Sequence, residues 1–173
     1  MKIAITDIET TGLDPKVHEI IEIGVVICDD QTLEIYDTFN FKIKPLHPEL
    51  GHPKAYECNG YNAKDWEDGM TQHAAMQMYS EATKGCAFCA QCICFDFPFI
   101  DALSKETNIP LQLNRHKIDI PSLSWFMLGR QTNKFGLKSV CETLGIEPEA
   151  TIHRGINGAM KAYEVLKELR LRI

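Results

Sequence analysis

Residues 7–14 read DIETTGLD and follow directly on the strand-like KIAIT. Side chains two apart on a strand share a face, so Asp7 and Glu9 project together from one strand end. Like charges this close repel. The pairing makes sense where a cation sits between them, and hard carboxylate oxygens are the ligands that Mg²⁺ or Mn²⁺ prefers. By itself D-x-E also fits a solvated strand end. The TTGL that follows narrows the choice, because two hydroxyls, a glycine that permits close approach and an exposed leucine suit a nucleotide lying over bound metal.

A second stretch raises a different question. TIHRGINGAMK at 151–161 runs into AYEVLKELRLRI, the clearest amphipathic helix in the chain, yet it places glycines at 155 and 158 in the first turns. Each glycine inside a helix costs about 0.5–1 kcal/mol relative to alanine. A local requirement must offset that cost.

Several elements have to position these groups. Residues 2–8, 20–28 and 33–43 are rich in β-branched and aromatic residues and separated by TTGLDPK and DDQT, which predicts a meander of three strands. Residues 45–70 read as loop with short helical turns, and 71–83 as a helix behind a Thr71 cap. A strand over 86–95, a helix over 97–107, a short strand over 117–120 and helices over 121–129, 136–144 and from about 153 onward complete the pattern. Strands first, then strand and helix mixed, point to an α/β layered domain, with one domain over 1–173.

Composition sets the limits. A 173-residue chain that is 45% hydrophobic is long enough for one sizeable core. No apolar run approaches a membrane span, and Met1-Lys2 leads straight into a strand, so a membrane role is not expected and a cytoplasmic location is. Seven cysteines, four of them crowded between 86 and 94, suit a reducing compartment. The formal charge of −6 argues against a protein that coats duplex nucleic acid. It leaves room for a local site in which metal ions present positive charge to phosphate.

DIETTGL resembles the first motif of the DEDD 3′–5′ exonucleases, the superfamily of the proofreading subunit of the bacterial replicative polymerase. HEIIEIGVV at 18–26 is similar to that family's second strand, ECNGY at 57–61 to its nucleotide-contacting loop and FDFPFI at 95–100 to its second motif. IDIPSL at 118–123 and LKSVCETLGI at 137–146 resemble the stretch before its third motif, and IHRGINGA at 152–159 falls where that motif belongs. The resemblance implies a ribonuclease H-like three-layer fold, with a mixed five-stranded sheet flanked by helices. It further implies the histidine branch, DEDDh, and two-metal phosphodiester hydrolysis with Mg²⁺ or Mn²⁺. Asp7, Glu9 and Asp96 would be the metal ligands and His153 the general base on the attacking water. Thr10, Thr11, Gly12, Leu13, Asn59 and Phe95 would contact the terminal nucleotide. The implied partners are the 3′ ends of single-stranded DNA or RNA and a DNA polymerase, in proofreading or DNA repair.

The chain departs from the family in two places. The third motif has an acid five residues after its histidine, and here that position is Gly158. The following helix offers no carboxylate before Glu164, so a weakened first metal site and a severely reduced rate are expected. The alternative is a catalytically silent protein that binds nucleic-acid ends or a polymerase. The family's His-Asn pair before the second motif is replaced by Gln91 and Cys92, of which only the glutamine keeps amide hydrogen bonding. Gly155, beside the base, is expected to give the substrate backbone room. Cys86, Cys89, Cys92 and Cys94 read as strand residues pointing to different faces rather than as one metal site. His18, His47, His52, His73 and His116 read as surface residues, Met76, Met78 and Tyr79 as packing, and Arg130, Lys134 and Lys138 as a basic spacing suited to a single strand.

Overall fold

The structure is a computed structural model that describes residues 1–172. Three strands, β1 (Lys2–Thr10), β2 (Ile20–Asp29) and β3 (Ile35–Lys42), form the antiparallel meander predicted from their β-branched runs. After a 3-10 turn at Pro48–Leu50 come α1 (Pro53–Asn59) and α2 (Gln72–Ala82); the Thr71 hydroxyl caps α2 by accepting from the Ala74 amide at 3.2 Å. Then follow β4 (Ala87–Ala90), α3 (Ile93–Thr107), β5 (Lys117–Asp119), α4 (Ile120–Leu128), α5 (Leu137–Leu144) and α6 (Gly155–Arg170).

The five strands lie in the order β3-β2-β1-β4-β5, with β1, β4 and β5 parallel. Their C-terminal ends therefore share one edge of the sheet. On one face Ala4, Ile8 and Ile23 pack against Met76 and Tyr79 of α2 and Phe99, Ile100 and Leu103 of α3. On the other, Ile3, Ile5, Val26 and Cys28 pack against α4, α5 and α6, with Ala159, Ala162, Val165 and Leu166 forming the buried stripe of α6. The result is the three-layer α/β architecture with a mixed five-stranded sheet.

Two sequence expectations give way. The strand expected over 86–95 ends at Ala90, and α3 begins at Ile93, so Cys92 is a helix cap and Cys94 a first-turn residue rather than strand residues. An unbroken apolar run is ambiguous between strand and helix, and the spacing of Phe99, Ile100 and Leu103 toward the core decides for helix. Met78 is 41% exposed and is not core, although Met76 and Tyr79 are fully buried.

Candidate active site

The edge where β1, β4 and β5 end opens into a cavity of about 640 Å³. Asp7, Glu9, Thr10, Gly12, Leu13, Asn59, Phe95, Asp96 and His153 line it, so nine of the ten residues picked from the sequence meet in one place. Thr11 is the exception: it is buried, and its hydroxyl accepts from the Glu19 amide at 2.9 Å. It shapes the turn after β1 instead. Thr10 likewise spends its hydroxyl on the Gly12 carbonyl at 2.6 Å, and the Asn59 side chain donates to the Thr10 carbonyl at 2.9 Å. These polar groups fix the loop that presents Leu13, which is 80% exposed.

Each acid arrives by a different route. Asp7 and Glu9 share the β1 face that looks toward α6, and a register shift between Glu9 and Thr10 ends regular pairing just beyond them. Asp96, only 2% exposed, reaches the end of β1 from α3 on the opposite face, steadied by the Cys92 and Ile8 amides. Burial is the main electrostatic fact. It pushes Glu9 up to about 8, helped by the charges of Glu149 and Glu22 and opposed by Arg154. Burial likewise lifts Asp96 to about 7, and it raises Asp7 well above the usual carboxylate range, with Asp96, Glu9, Glu149 and Glu22 adding to it. Carboxylates in this state gain from a cation. Their donor chemistry fits a hard divalent ion, although among the described residues no three His, Cys, Asp or Glu side chains are drawn together as a ready-made metal site.

The α6 side accounts for the two glycines. Gly155 sits on β2: a Cβ there would come 2.6 Å from the Gly24 nitrogen and 3.2 Å from the Asp7 carbonyl oxygen. The space that Gly155 leaves is therefore taken by the neighbouring strand and not by substrate, which corrects the expectation above. Gly24, opposite Asp7 in the β1–β2 register, is glycine for the same reason, because its own Cβ would fall on the Gly155 carbonyl. Gly158 differs. A Cβ there would fall on the Asp7 carboxylate, 2.6 Å from its Cγ, so Asp7 occupies the volume that a side chain at 158 would fill.

His153 lies at the cavity wall just ahead of α6, its amide bonded to the Cys58 carbonyl at 3.0 Å. Glu149, which belongs to no motif in the sequence and stands on the loop before α6, lies behind it. Its Oε2 is 3.8 Å from His153 Nδ1, and its Oε1 accepts from the Arg154 amide at 3.3 Å. Glu22 was also missed. It is fully buried and pairs with Glu9 across the strands, and neither oxygen meets a hydrogen-bond partner at normal geometry. Burial raises its pKa, while Asn40, Arg154, Lys42 and the Gly155 amide pull the other way. Finally, His18, His52, Lys54, Cys58 and Gln91 line the cavity. Cys58 lies in the ECNGY stretch and Gln91 just before the second motif, both marked in the sequence; nothing local distinguishes His18, His52 and Lys54 from surface residues, and only the loops folded over β1 bring them here.

The model of the RNase T exonuclease family, described as Exonuclease, matches residues 4–166. The chain is 30% identical over 161 residues to the PolC-type DNA polymerase III of Thermotoga petrophila, covering 93% of this chain but only 11% of that polymerase. It thus spans about a tenth of the length of that relative. It is 26% identical to the DNA polymerase III epsilon subunit of Rickettsia conorii, over 98% of this chain and 72% of the subunit. Among solved structures, the zinc-bound exonuclease I–ssDNA complex of E. coli superposes with a TM-score of 0.83 at 15% identity, over 99% of this chain and 40% of that one. The nuclease domain of 3′hExo, a DEDDh family member bound to rAMP, gives 0.79 at 19% identity, over 98% and 90%. Exonucleases of this family generally depend on divalent metal. With its acids, its histidine and all but the first two residues of its sheet inside the matched region, the chain belongs to the exonuclease family.

Proposed function

We propose that the chain is a metal-dependent 3′–5′ exonuclease domain over residues 1–173 that removes nucleotides from the 3′ end of single-stranded DNA or RNA. The observation that carries this is the meeting of Asp7, Glu9, Asp96 and His153 on one cavity beside the exposed Leu13. Asp7, Glu9 and Asp96 would hold Mg²⁺ or Mn²⁺, which when bound supplies positive charge to the scissile phosphate and eases deprotonation of water. His153, whose backbone amide is tied to the Cys58 carbonyl and whose Nδ1 faces the Glu149 carboxylate at 3.8 Å, takes the proton of the attacking water. Leu13 and Phe95 flank the terminal base, Gly12 lets the strand approach closely, and Thr10, Thr11 and Asn59 keep that loop in shape. The relatives named as polymerase III components make a DNA polymerase a fitting partner, in proofreading or DNA repair. The seven free thiols suit the reducing cytoplasm, and among the described residues no helix is long and apolar enough to cross a membrane.

Gly158 leaves this site one acid short, so the rate is expected to be low. The position of the Asp7 carboxylate, lying in the volume of the absent side chain, favours a second reading: a silent protein that binds nucleic-acid ends. One assay separates the two. On 5′-labelled DNA and RNA oligonucleotides with Mn²⁺, an exonuclease shortens the strand stepwise from the 3′ end. Retained end binding with no shortening supports the silent reading, and internal cleavage contradicts both.

A further inference from the structure

Helix α4 carries an outer face with no partner in the fold. Its inner residues Ile120, Ser124 and Leu128 are buried, whereas Trp125 is 64% and Phe126 79% exposed on the side facing away. The chemistry beside them is one-signed. Between Asp119 and Glu142 every charged residue is a cation, namely Arg130, Lys134 and Lys138, in a chain whose net charge is −6. All three are exposed, and among the described residues none of them forms an ion pair. Arg130 stands four residues beyond Phe126 where the chain still turns helically, so cation and ring lie on one side.

The start of α4 and the loop after it are each tied to the cavity rim. Asp119, which caps α4, also accepts from the Ile93 amide at 3.4 Å, so α4 starts at the sheet edge where the acids stand. The loop after α4 returns to the cavity, because Gln91, a lining residue, donates to the Phe135 carbonyl at 3.0 Å. At a rise of about 1.5 Å per residue, Trp125 and Phe126 lie about 8 Å along the helix from its start. That is within reach of the second or third nucleotide from an end held in the cavity. Exposed rings flanked by cations are what unpaired bases and their phosphates recognise.

We infer that the outer face of α4 with the loop after it, Trp125 and Phe126 beside Arg130 and Lys134, is the track on which the single strand upstream of the terminal nucleotide lies. The inference rests on the reading that the cavity takes a nucleic-acid end. Bases stack on the two rings, and the phosphates run along the cations.

The molecule carries its own reporter. Of its two tryptophans, Trp66 is 1% exposed and donates to the Ile21 carbonyl at 2.8 Å, so a change in solvent-exposed emission comes from Trp125. The experiment titrates the full chain, in Ca²⁺ to suppress cleavage, with thymidine 5′-monophosphate and with an oligothymidylate of twelve nucleotides. The twelve-mer is expected to bind about tenfold tighter and to quench the exposed tryptophan, while the mononucleotide binds without quenching. Trp125→Ala with Phe126→Ala should bring the twelve-mer down to the affinity of the mononucleotide, and Lys134→Ala should lower its salt slope by about 0.7. Equal binding of both without quenching overturns the track and leaves the cavity reading intact. If neither binds, the cavity reading fails and the track with it. An unquenched Trp125 in a protein whose concentration-dependent dimer is abolished by Trp125→Ala also overturns the proposal, because the face would then join two copies.

Discussion

The β1 wall of the cavity carries both acids of its motif, and α3 adds the third, whereas the α6 wall brings a histidine and then a glycine five residues on. The difference runs into α6 itself. Gly155 and Gly158 look alike in the sequence, yet backbone closes on the first and a carboxylate on the second. Backbone cannot step aside without moving a strand. A carboxylate can rotate. Gly155 is therefore a condition of the fold, and Gly158 a condition of the chemistry.

The sharpest way to break this contrast is to fill the space at the strand. Gly155→Ala, or Gly24→Ala from the other side, forces β2 and α6 apart and should cost about 3 kcal/mol of unfolding free energy, measured by urea denaturation. A loss below about 0.5 kcal/mol would mean that α6 is free to lift. Next in size is Gly158→Asp, which restores the acid and turns Asp7 out of its volume. Nuclease activity in Mn²⁺ should rise about a hundredfold, or about 2.7 kcal/mol of barrier, on the logic that a ligand fixes charge and geometry that water does not. Unchanged activity with intact folding would favour the silent reading.

How far the sequence revealed this site depends on the kind of signal. Asp7 and Glu9 were legible because period two on a strand is local geometry, and the sheet keeps them on one face. Asp96 was assigned through resemblance, and its local element was misread: its apolar neighbours suit strand and helix equally until the core chooses. The strand meander and the Thr71 cap were readable for the same local reason. Glu22 and Glu149 were not. One is an acid in a strand so apolar that only the fold exposes its isolation, and the other lies on a loop whose path is set by the Cys58–His153 contact. The role of Gly155 depends on a residue more than a hundred positions away, which no local pattern reports.

The acid wall makes a pH prediction of intermediate size. Glu9 rises from 4.5 to about 8 on folding and Asp96 from 3.8 to about 7, so the folded state holds their protons more tightly than the unfolded chain does. The stability linked to that excess is whole below about pH 4 and is lost as pH climbs through 7 and 8. In EDTA the melting temperature should fall by roughly 5 °C between pH 6 and pH 9. Saturating Mn²⁺ should remove most of the fall, because the ion takes the place of the protons. A melting temperature that stays flat in EDTA would show that water reaches these carboxylates freely.

Glu149 offers the finest test, because it belongs to both walls. Its charge raises Glu9 and Asp7, which costs stability on the acid side, while its oxygens hold the Arg154 amide and face His153 on the α6 side. Glu149→Gln keeps an acceptor for the amide and removes the charge. Near pH 6 Glu9 is largely protonated, so little repulsion is relieved and the loss of a charged acceptor near the α6 N-terminus should cost about 0.5 kcal/mol. Near pH 9 Glu9 is ionised, relief of repulsion opposes that loss, and the variant should equal or slightly exceed the parent. The two curves of stability against pH should therefore cross or meet. Parallel curves would place Glu149 with α6 alone, and the acids would then have to be raised by burial without its help.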